Sequence, residues 1–299
     1  MNPNDITVVM DELGLSGESW SFWRAVLRML FHLPLSPDET SLMLRHTGRT
    51  KLFSSALGEL WLCLGRRAGK SRIISAIAVY LAAFVDYRAV LAPGELGVIV
   101  LCAPSQRQAR VLLHYVSAFL CSTPMLARMI KSETDSGVEL SNGISIEIFS
   151  SSFKRVRGVT VVAALVDEIA FLPLDEFSAE PDSELLYALR GAMGTIPNSL
   201  LICSSTPHAQ RGELHKAHQQ HFANDDSPIC FLNADSLTAN PALNPRVVEQ
   251  AFISDAVIAA SEYGENGSVS FRTDVESFLS AEVLESIVNP DLPLISEAA

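Results

Sequence analysis

Apolar positions along this chain change their period repeatedly, and each change marks an element. Leu60-Trp61-Leu62-Cys63-Leu64 is a continuous apolar run, the pattern of a strand buried on both faces. Ile73 to Val85 is also apolar and reads as a helix. Gly97 to Cys102 reads as a strand, Gln106 to Leu120 as a helix, and Val138 to Phe149 as a hairpin turning at Asn142-Gly143. Val161 to Val166 is a β-rich run ending in Asp167-Glu168. After it come a helix at Ser183 to Met193, a strand at Ser199 to Ser204, a helix at Gly212 to Phe222 and a short strand at Ile229 to Leu232. Helical patterns at Ser19 to Phe31 and Asp38 to His46 precede them all. The first carries Trp20, Phe22, Trp23, Leu27, Leu30 and Phe31 and reads as an amphipathic helix packed on the domain. Strands alternating with helices predict an α/β fold with a mostly parallel, doubly wound sheet, whose ligands gather at the carboxyl ends of its strands. The expected organisation is a helical flank over residues 1–52, a core over 53–225 and a small C-terminal lid or linker over 226–299.

Three of those strand ends carry chemistry. Gly65-Arg66-Arg67-Ala68-Gly69-Lys70-Ser71 joins the first apolar strand to the apolar helix. A loop that turns from strand into helix points several backbone N–H groups at one place, and the positive helix end favours phosphate oxygens there. Gly69 lets the backbone approach, Lys70 reaches the β- and γ-phosphates, and the Ser71 hydroxyl completes a magnesium shell. The pattern is that of a P-loop nucleoside triphosphatase with one departure. Leu64 occupies the place of the usual first glycine, and Gly65 lies one position late. A second strand end, Asp167-Glu168, supplies two carboxylates. The first fits a role on magnesium through water, the second the orientation or deprotonation of the attacking water. A helix whose first turn favours acids explains one carboxylate better than two. The third end, Ser204-Ser205-Thr206-Pro207, is a polar tip on a greasy strand, which a plain turn with a helix cap also explains.

Composition narrows the picture. A chain of 299 residues with 48% hydrophobic and 19% charged residues can bury a sizeable core. Its net charge of −12 excludes a uniformly basic surface and leaves local basic patches for any contact with nucleic acid. Ile73 to Val85 is shorter than the roughly 20 residues that span a bilayer, so no membrane segment and a cytoplasmic location are expected. Cys63, Cys102, Cys121, Cys203 and Cys230 have no metal-ligand spacing, and most fall on core strands. His208, His215, His218 and His221 cluster around one predicted helix, but no cysteine or carboxylate pattern supports a zinc site.

The order of these pieces resembles the ATPase domain of the large terminase subunit of tailed bacteriophages, the motor that drives DNA into empty capsids. The resemblance rests on Gly65 to Ser71 with its arginine-bearing loop, on Ala103-Pro104-Ser105-Gln106-Arg107-Gln108-Ala109, and on Arg157-Gly158 ahead of Asp167-Glu168-Ile169-Ala170-Phe171. It continues through Ser205-Thr206-Pro207, Asn244-Pro245 and Phe271-Arg272-Thr273-Asp274, spanning about Gly48 to Leu284. It implies ATP and Mg2+ as cofactors. Gly65, Arg66, Arg67, Ala68, Gly69, Lys70 and Ser71 would hold the phosphates, Ser71 and Asp167 the magnesium, and Glu168 the hydrolytic water. Ser205 and Thr206 would couple hydrolysis to motion, as the similar element of helicase-like motors senses the γ-phosphate. Arg66 matches an arginine placed near the γ-phosphate in the same subunit, and Arg157 one offered across a ring to the neighbouring subunit. Such a guanidinium is worth about 10³ to 10⁵ in rate in related enzymes. Arg157 also lies in the cluster Lys154-Arg155-Val156-Arg157, which reads equally as a solvated basic face or a hold on DNA phosphates. The family's adenine-contacting glutamine has no counterpart between Leu33 and Leu60, which leaves Arg49 as the candidate there.

The resemblance also implies partners: double-stranded DNA, the portal of a procapsid and a small terminase subunit. It implies a homo-oligomeric ring when active, with a monomer possible in isolation, in the host cytoplasm and outside the mature virion. In the family a ribonuclease H-type nuclease domain follows the ATPase. This chain ends at Ala299 soon after Phe271 to Phe278, so no nuclease activity is expected of it. Another nucleic-acid-dependent ATPase such as a helicase, and a non-catalytic fragment that binds DNA or partners, are the alternative readings. The first would need a second ATPase-like lobe, and the presence of Lys70, Ser71, Asp167 and Glu168 weighs against the second.

Overall fold

A computed structural model describes residues 5–150, 158–173 and 181–274. In chain order its elements are α1 (Ile6–Glu12), α2 (Ser21–Leu30), α3 (Pro37–Thr47), β1 (Glu59–Leu64), α4 (Lys70–Phe84), β2 (Gly97–Ala103) and α5 (Gln106–Cys121). There follow α6 (Pro124–Ala127), β3 (Ile130–Thr134), β4 (Gly137–Leu140), β5 (Ile144–Ser150), β6 (Thr160–Asp167), α7 (Pro181–Met193) and β7 (Leu200–Ser205). The series closes with α8 (Gly212–His221), β8 (Cys230–Ala234), α9 (Ser236–Ala239), α10 (Pro245–Ser254) and α11 (Ala256–Glu262).

The strands form one sheet in the order β3-β4-β5-β2-β6-β7-β1-β8. From β5 to β8 every pairing is parallel, while β3 and β4 add an antiparallel edge. The central strands are apolar almost throughout because helices cover both faces. On β1, Leu60, Leu62 and Leu64 join the core beneath α1 to α5, whereas Trp61 and Cys63 join the core beneath α7 and α8. The doubly wound α/β architecture read from the sequence is therefore the one observed. Cys63, Cys102, Cys203 and Cys230 are buried in it, and burial pushes their thiols well above the ordinary range.

Local signals set the element ends. Ser36 and Glu39 form a reciprocal capping box around Pro37 at the start of α3, and Gly48 ends that helix with φ +66. Ser105 caps α5. The hairpin between β4 and β5 turns at Gly143, with φ +85, and the Asn142 amide ties that turn to Ala82 O near the end of α4. The sheet extends past residue 226, since β8 pairs with β1 along Cys230 to Ala234. Helices α10 and α11 follow it. Among the described residues no helix is long and apolar enough to cross a membrane.

Candidate functional site

The topology brings the three polar strand ends together. β7 lies between β1 and β6, and Ser204 is in register with both Leu62 and Asp167. The phosphate loop, the acidic pair and the Ser-Ser-Thr tip therefore meet at one edge of the sheet, beneath a cleft of about 450 Å3.

The loop's backbone bonding is divided by type of group. Lys70 Nζ is buried and donates to Leu64 O at 3.0 Å and Gly65 O at 3.1 Å. Ser236 Oγ donates to Arg66 O at 2.7 Å, Asn240 Nδ2 to Arg67 O at 2.8 Å, Trp23 Nε1 to Ala68 O at 2.7 Å and Ile73 N to Gly69 O at 3.1 Å. Every carbonyl from Leu64 to Gly69 thus has a donor. Gly65 N and Arg66 N donate to Ala234 O and Glu262 O. The N–H groups of Arg67 through Arg72 have no acceptor among the described residues. This run of free donors lies at the start of a fifteen-residue helix and opens into a cleft, an arrangement that suits an anion. Arg67 and Gly69 adopt positive φ, +61 and +96, which curls the loop.

The carboxylates lie opposite Lys70. Asp167, 5% exposed, accepts from Ser71 Oγ at 2.7 Å and Ser204 Oγ at 2.7 Å. Burial, and then the nearby charge of Glu168, push its pKa above the ordinary carboxylate value; the two hydroxyls and Lys70 pull the other way. Glu168 holds a left-handed backbone, φ +52, unusual for a residue with a side chain. Its Oε1 lies 3.7 Å from Lys70 Nζ. Its Oε2 accepts from Ser205 Oγ at 3.1 Å and Thr206 N at 3.3 Å. The residues named from sequence as water-orienting and coupling groups are thus in direct contact.

Arg66 borders the cleft with its side chain 57% exposed and its guanidinium 3.1 Å from Glu262 Oε1. Arg157 lies outside the described residues. Arg49 is a correction: it is buried away from the cleft lining, and four of its five N–H donors go to the carbonyls of Lys51, Asn224, Asp225 and Ser227 while it lies over the Phe53 ring. The histidines of α8 pack instead of converging. His218 lies against Phe222, Phe231 and Phe271, and His221 bonds Ser227. Among the described residues no three His, Cys, Asp or Glu side chains could share a metal ion. Sequence reasoning missed Trp23, Ser236, Asn240 and Glu262, which hold the loop from distant parts of the chain. It also passed over Ser204 as a partner of Asp167, although Ser204 belongs to the polar tip already singled out.

Over residues 62–212 the sequence matches the family described as terminase large subunit, T4likevirus-type, N-terminal. No curated protein matches. Among solved structures, the large terminase of bacteriophage HK97 is similar with a TM-score of 0.59 at 17% identity, over 88% of this chain and 55% of that one. The ATPase domain of the Thermus phage P74-26 large terminase gives 0.48 at 16% identity, over 80% of this chain and 96% of that one. A large terminase from a thermophilic bacteriophage, in complex with ADP, gives 0.47 at 13% identity, over 73% of this chain and 50% of that one. The chain thus spans about half the length of the HK97 protein.

Proposed function

Because the chain belongs to the large-subunit terminase family of T4-like type, we propose that it hydrolyses ATP and couples hydrolysis to movement of double-stranded DNA during phage genome packaging. The observation that carries this reading is the loop whose carbonyls are all engaged and whose N–H groups from Arg67 to Arg72 are not, facing an acidic pair across Lys70. Phosphate oxygens complement those donors.

The donor set also fits a magnesium ion. Asp167 is a buried carboxylate whose hydrogen-bond partners are hydroxyls and the Glu168 N–H, with no cation in contact among the described residues, and such a group is costly without a positive partner. Ser71 and Asp167 would hold the ion, and its chemistry would be to neutralise charge on the β- and γ-phosphates. Lys70 would exchange its two carbonyl partners for phosphate oxygens. Glu168 would orient the water and accept its proton, and Arg66, with Arg157 of a neighbouring subunit, would stabilise charge on the transferring group. Since Ser205 and Thr206 bond the same oxygen of Glu168, a change in the glutamate is passed directly to the end of β7. In this reading residues 1–52 brace the loop, 53–225 carry the site together with β8, which corrects the boundary expected at 226, and the segment after β8 forms the lid. The portal, the small subunit, a ring of copies and the host cytoplasm are the corresponding partners and setting.

An ATPase assay with and without double-stranded DNA tests the proposal. DNA should stimulate the wild type. Lys70→Ala should lose nucleotide binding, while Glu168→Gln should keep binding and lose about 10² to 10⁴ in rate. Hydrolysis that survives either change would sink the assignment.

A further inference from the structure

Besides the phosphate loop and Glu168, the cleft is bordered by Ser19 and Trp20, by Tyr115, and by Ala239, Asn240 and Ala242. Trp20 ends the single helical turn Glu18–Trp20 in front of α2 and is half-buried. Its six-membered ring lies beside the phosphate loop: a Cβ on Gly69 would stand 3.4 Å from Trp20 Cζ3 and 3.7 Å from Cη2. The Arg72 guanidinium carbon is 5.1 Å from the centre of the indole, a cation–π pair that steadies the ring. The other tryptophans are committed elsewhere. Trp23 is buried with its N–H on Ala68 O, and Trp61 is buried on the far side of the sheet with its N–H on Glu59. Tyr115 borders the cleft from α5 with its ring already stacked on Phe119.

We infer that Trp20 is the stacking platform for the nucleobase, and that the slot it forms with the 239–242 turn accepts purine bases without telling them apart. The inference rests on the nucleotide reading above and adds the residue that replaces the missing glutamine and the displaced Arg49. A helix start that cradles phosphates directs the rest of the nucleotide past its first turn, where Arg72 and Trp20 stand. The polar side chains there are partly held by the protein itself. Asn240 donates one amide hydrogen to Arg67 O and accepts Ala242 N at its carbonyl, and the Arg72 guanidinium lies over the Trp20 ring. An aromatic face, unlike a set of fixed hydrogen bonds, accepts any base.

The test is equilibrium binding of ATP, GTP and inorganic tripolyphosphate, each with magnesium, to the full chain and to Trp20→Ala and Trp20→Phe. Tripolyphosphate has the phosphates and no base. Wild type should bind ATP and GTP within about threefold of each other. Trp20→Ala should weaken both by about 5- to 100-fold and leave tripolyphosphate unchanged, while Trp20→Phe keeps most of the affinity. The tryptophan fluorescence of the wild type should change with ATP and not with tripolyphosphate, because Trp20 alone among the three tryptophans faces the cleft. Equal weakening of ATP and tripolyphosphate by Trp20→Ala would show a merely structural role and overturn the inference. So would unchanged ATP binding, or a hundredfold preference for one purine. Wild type that binds neither ATP nor tripolyphosphate would overturn the nucleotide reading along with it, whereas the other failures leave that reading standing.

Discussion

Adding one methyl group at Gly65 should separate the two C-terminal segments that grip the phosphate loop. A Cβ built there would stand 2.7 Å from Tyr263 O and 2.8 Å from Ser236 N, and closer still to Ser236 Oγ. The two backbone atoms are themselves joined, Ser236 N donating to Tyr263 O at 2.8 Å, so the methyl group enters directly against that bond. It also displaces Ser236 Oγ from Arg66 O. Overpacking against backbone costs about 1–3 kcal/mol, and each hydrogen bond lost about 1 kcal/mol more, for a total of about 3–5 kcal/mol. The backbone at residue 65 is not left-handed, so no strain in φ is added. At about 2–4 °C per kcal/mol for a chain of this size, Gly65→Ala should lower the melting temperature by about 6–20 °C in a calorimetric scan. Removing the Ser236 hydroxyl as well, by Ser236→Ala, should recover only a minor part, since the backbone contacts remain. A single variant within about 2 °C of wild type, or full recovery in the double variant, would refute the reasoning.

Two further outcomes follow from groups in the site. Asp167 holds its proton more tightly in the folded than in the unfolded chain. It therefore contributes stability at low pH that is lost as pH rises from the ordinary carboxylate value through its own raised one. Asp167→Asn removes that loss, so without ligand at neutral pH it should melt at or above wild type while magnesium-dependent hydrolysis falls by roughly 10² or more; a lower melting temperature at neutral pH would contradict this. Trp23→Phe keeps the ring and removes the donor to Ala68 O, which should cost about 1–3 kcal/mol, read as a lower denaturant midpoint at constant slope. An unchanged midpoint would mean that the loop carbonyl finds another partner.

The parallel strands, and the meeting of Lys70, Ser71, Asp167 and Glu168 at one edge of the sheet, were legible because strands covered on both faces are apolar without interruption and polar residues stand out where they end. The edge strand β3, Ile-Lys-Ser-Glu-Thr, was not: it lies mostly in solvent, holds its partner through Lys131 and Glu139, and carries no apolar period to read. Gly65 shows a different limit. As a phosphate-loop glycine it looked misplaced by one position, yet its lack of a side chain answers to Ser236 and Tyr263, far along the chain. Arg49 and Trp23 make the same point in opposite directions. Arg49 stands where the family's adenine contact was sought and serves loop carbonyls, whereas Trp23, read as part of a packing face, reaches the phosphate loop. Helical spacing gives the face a residue is on, and a single directional bond to a remote carbonyl leaves no trace in that spacing.

The way the loop carbonyls are held has a consequence for the order in which the protein assembles. Residues 65–71 are made early, but the donors and acceptors that shape them come from Trp23 before and from Ala234, Ser236, Asn240 and Glu262 long after. Domains made on the ribosome fold as units once their parts have emerged, and contacts between distant segments form late. The loop therefore takes its shape only when the segments that carry Ser236, Asn240 and Glu262 have docked against it. In the proposed reading, nucleotide would then stabilise the assembled fold and could not template the segments that precede α11.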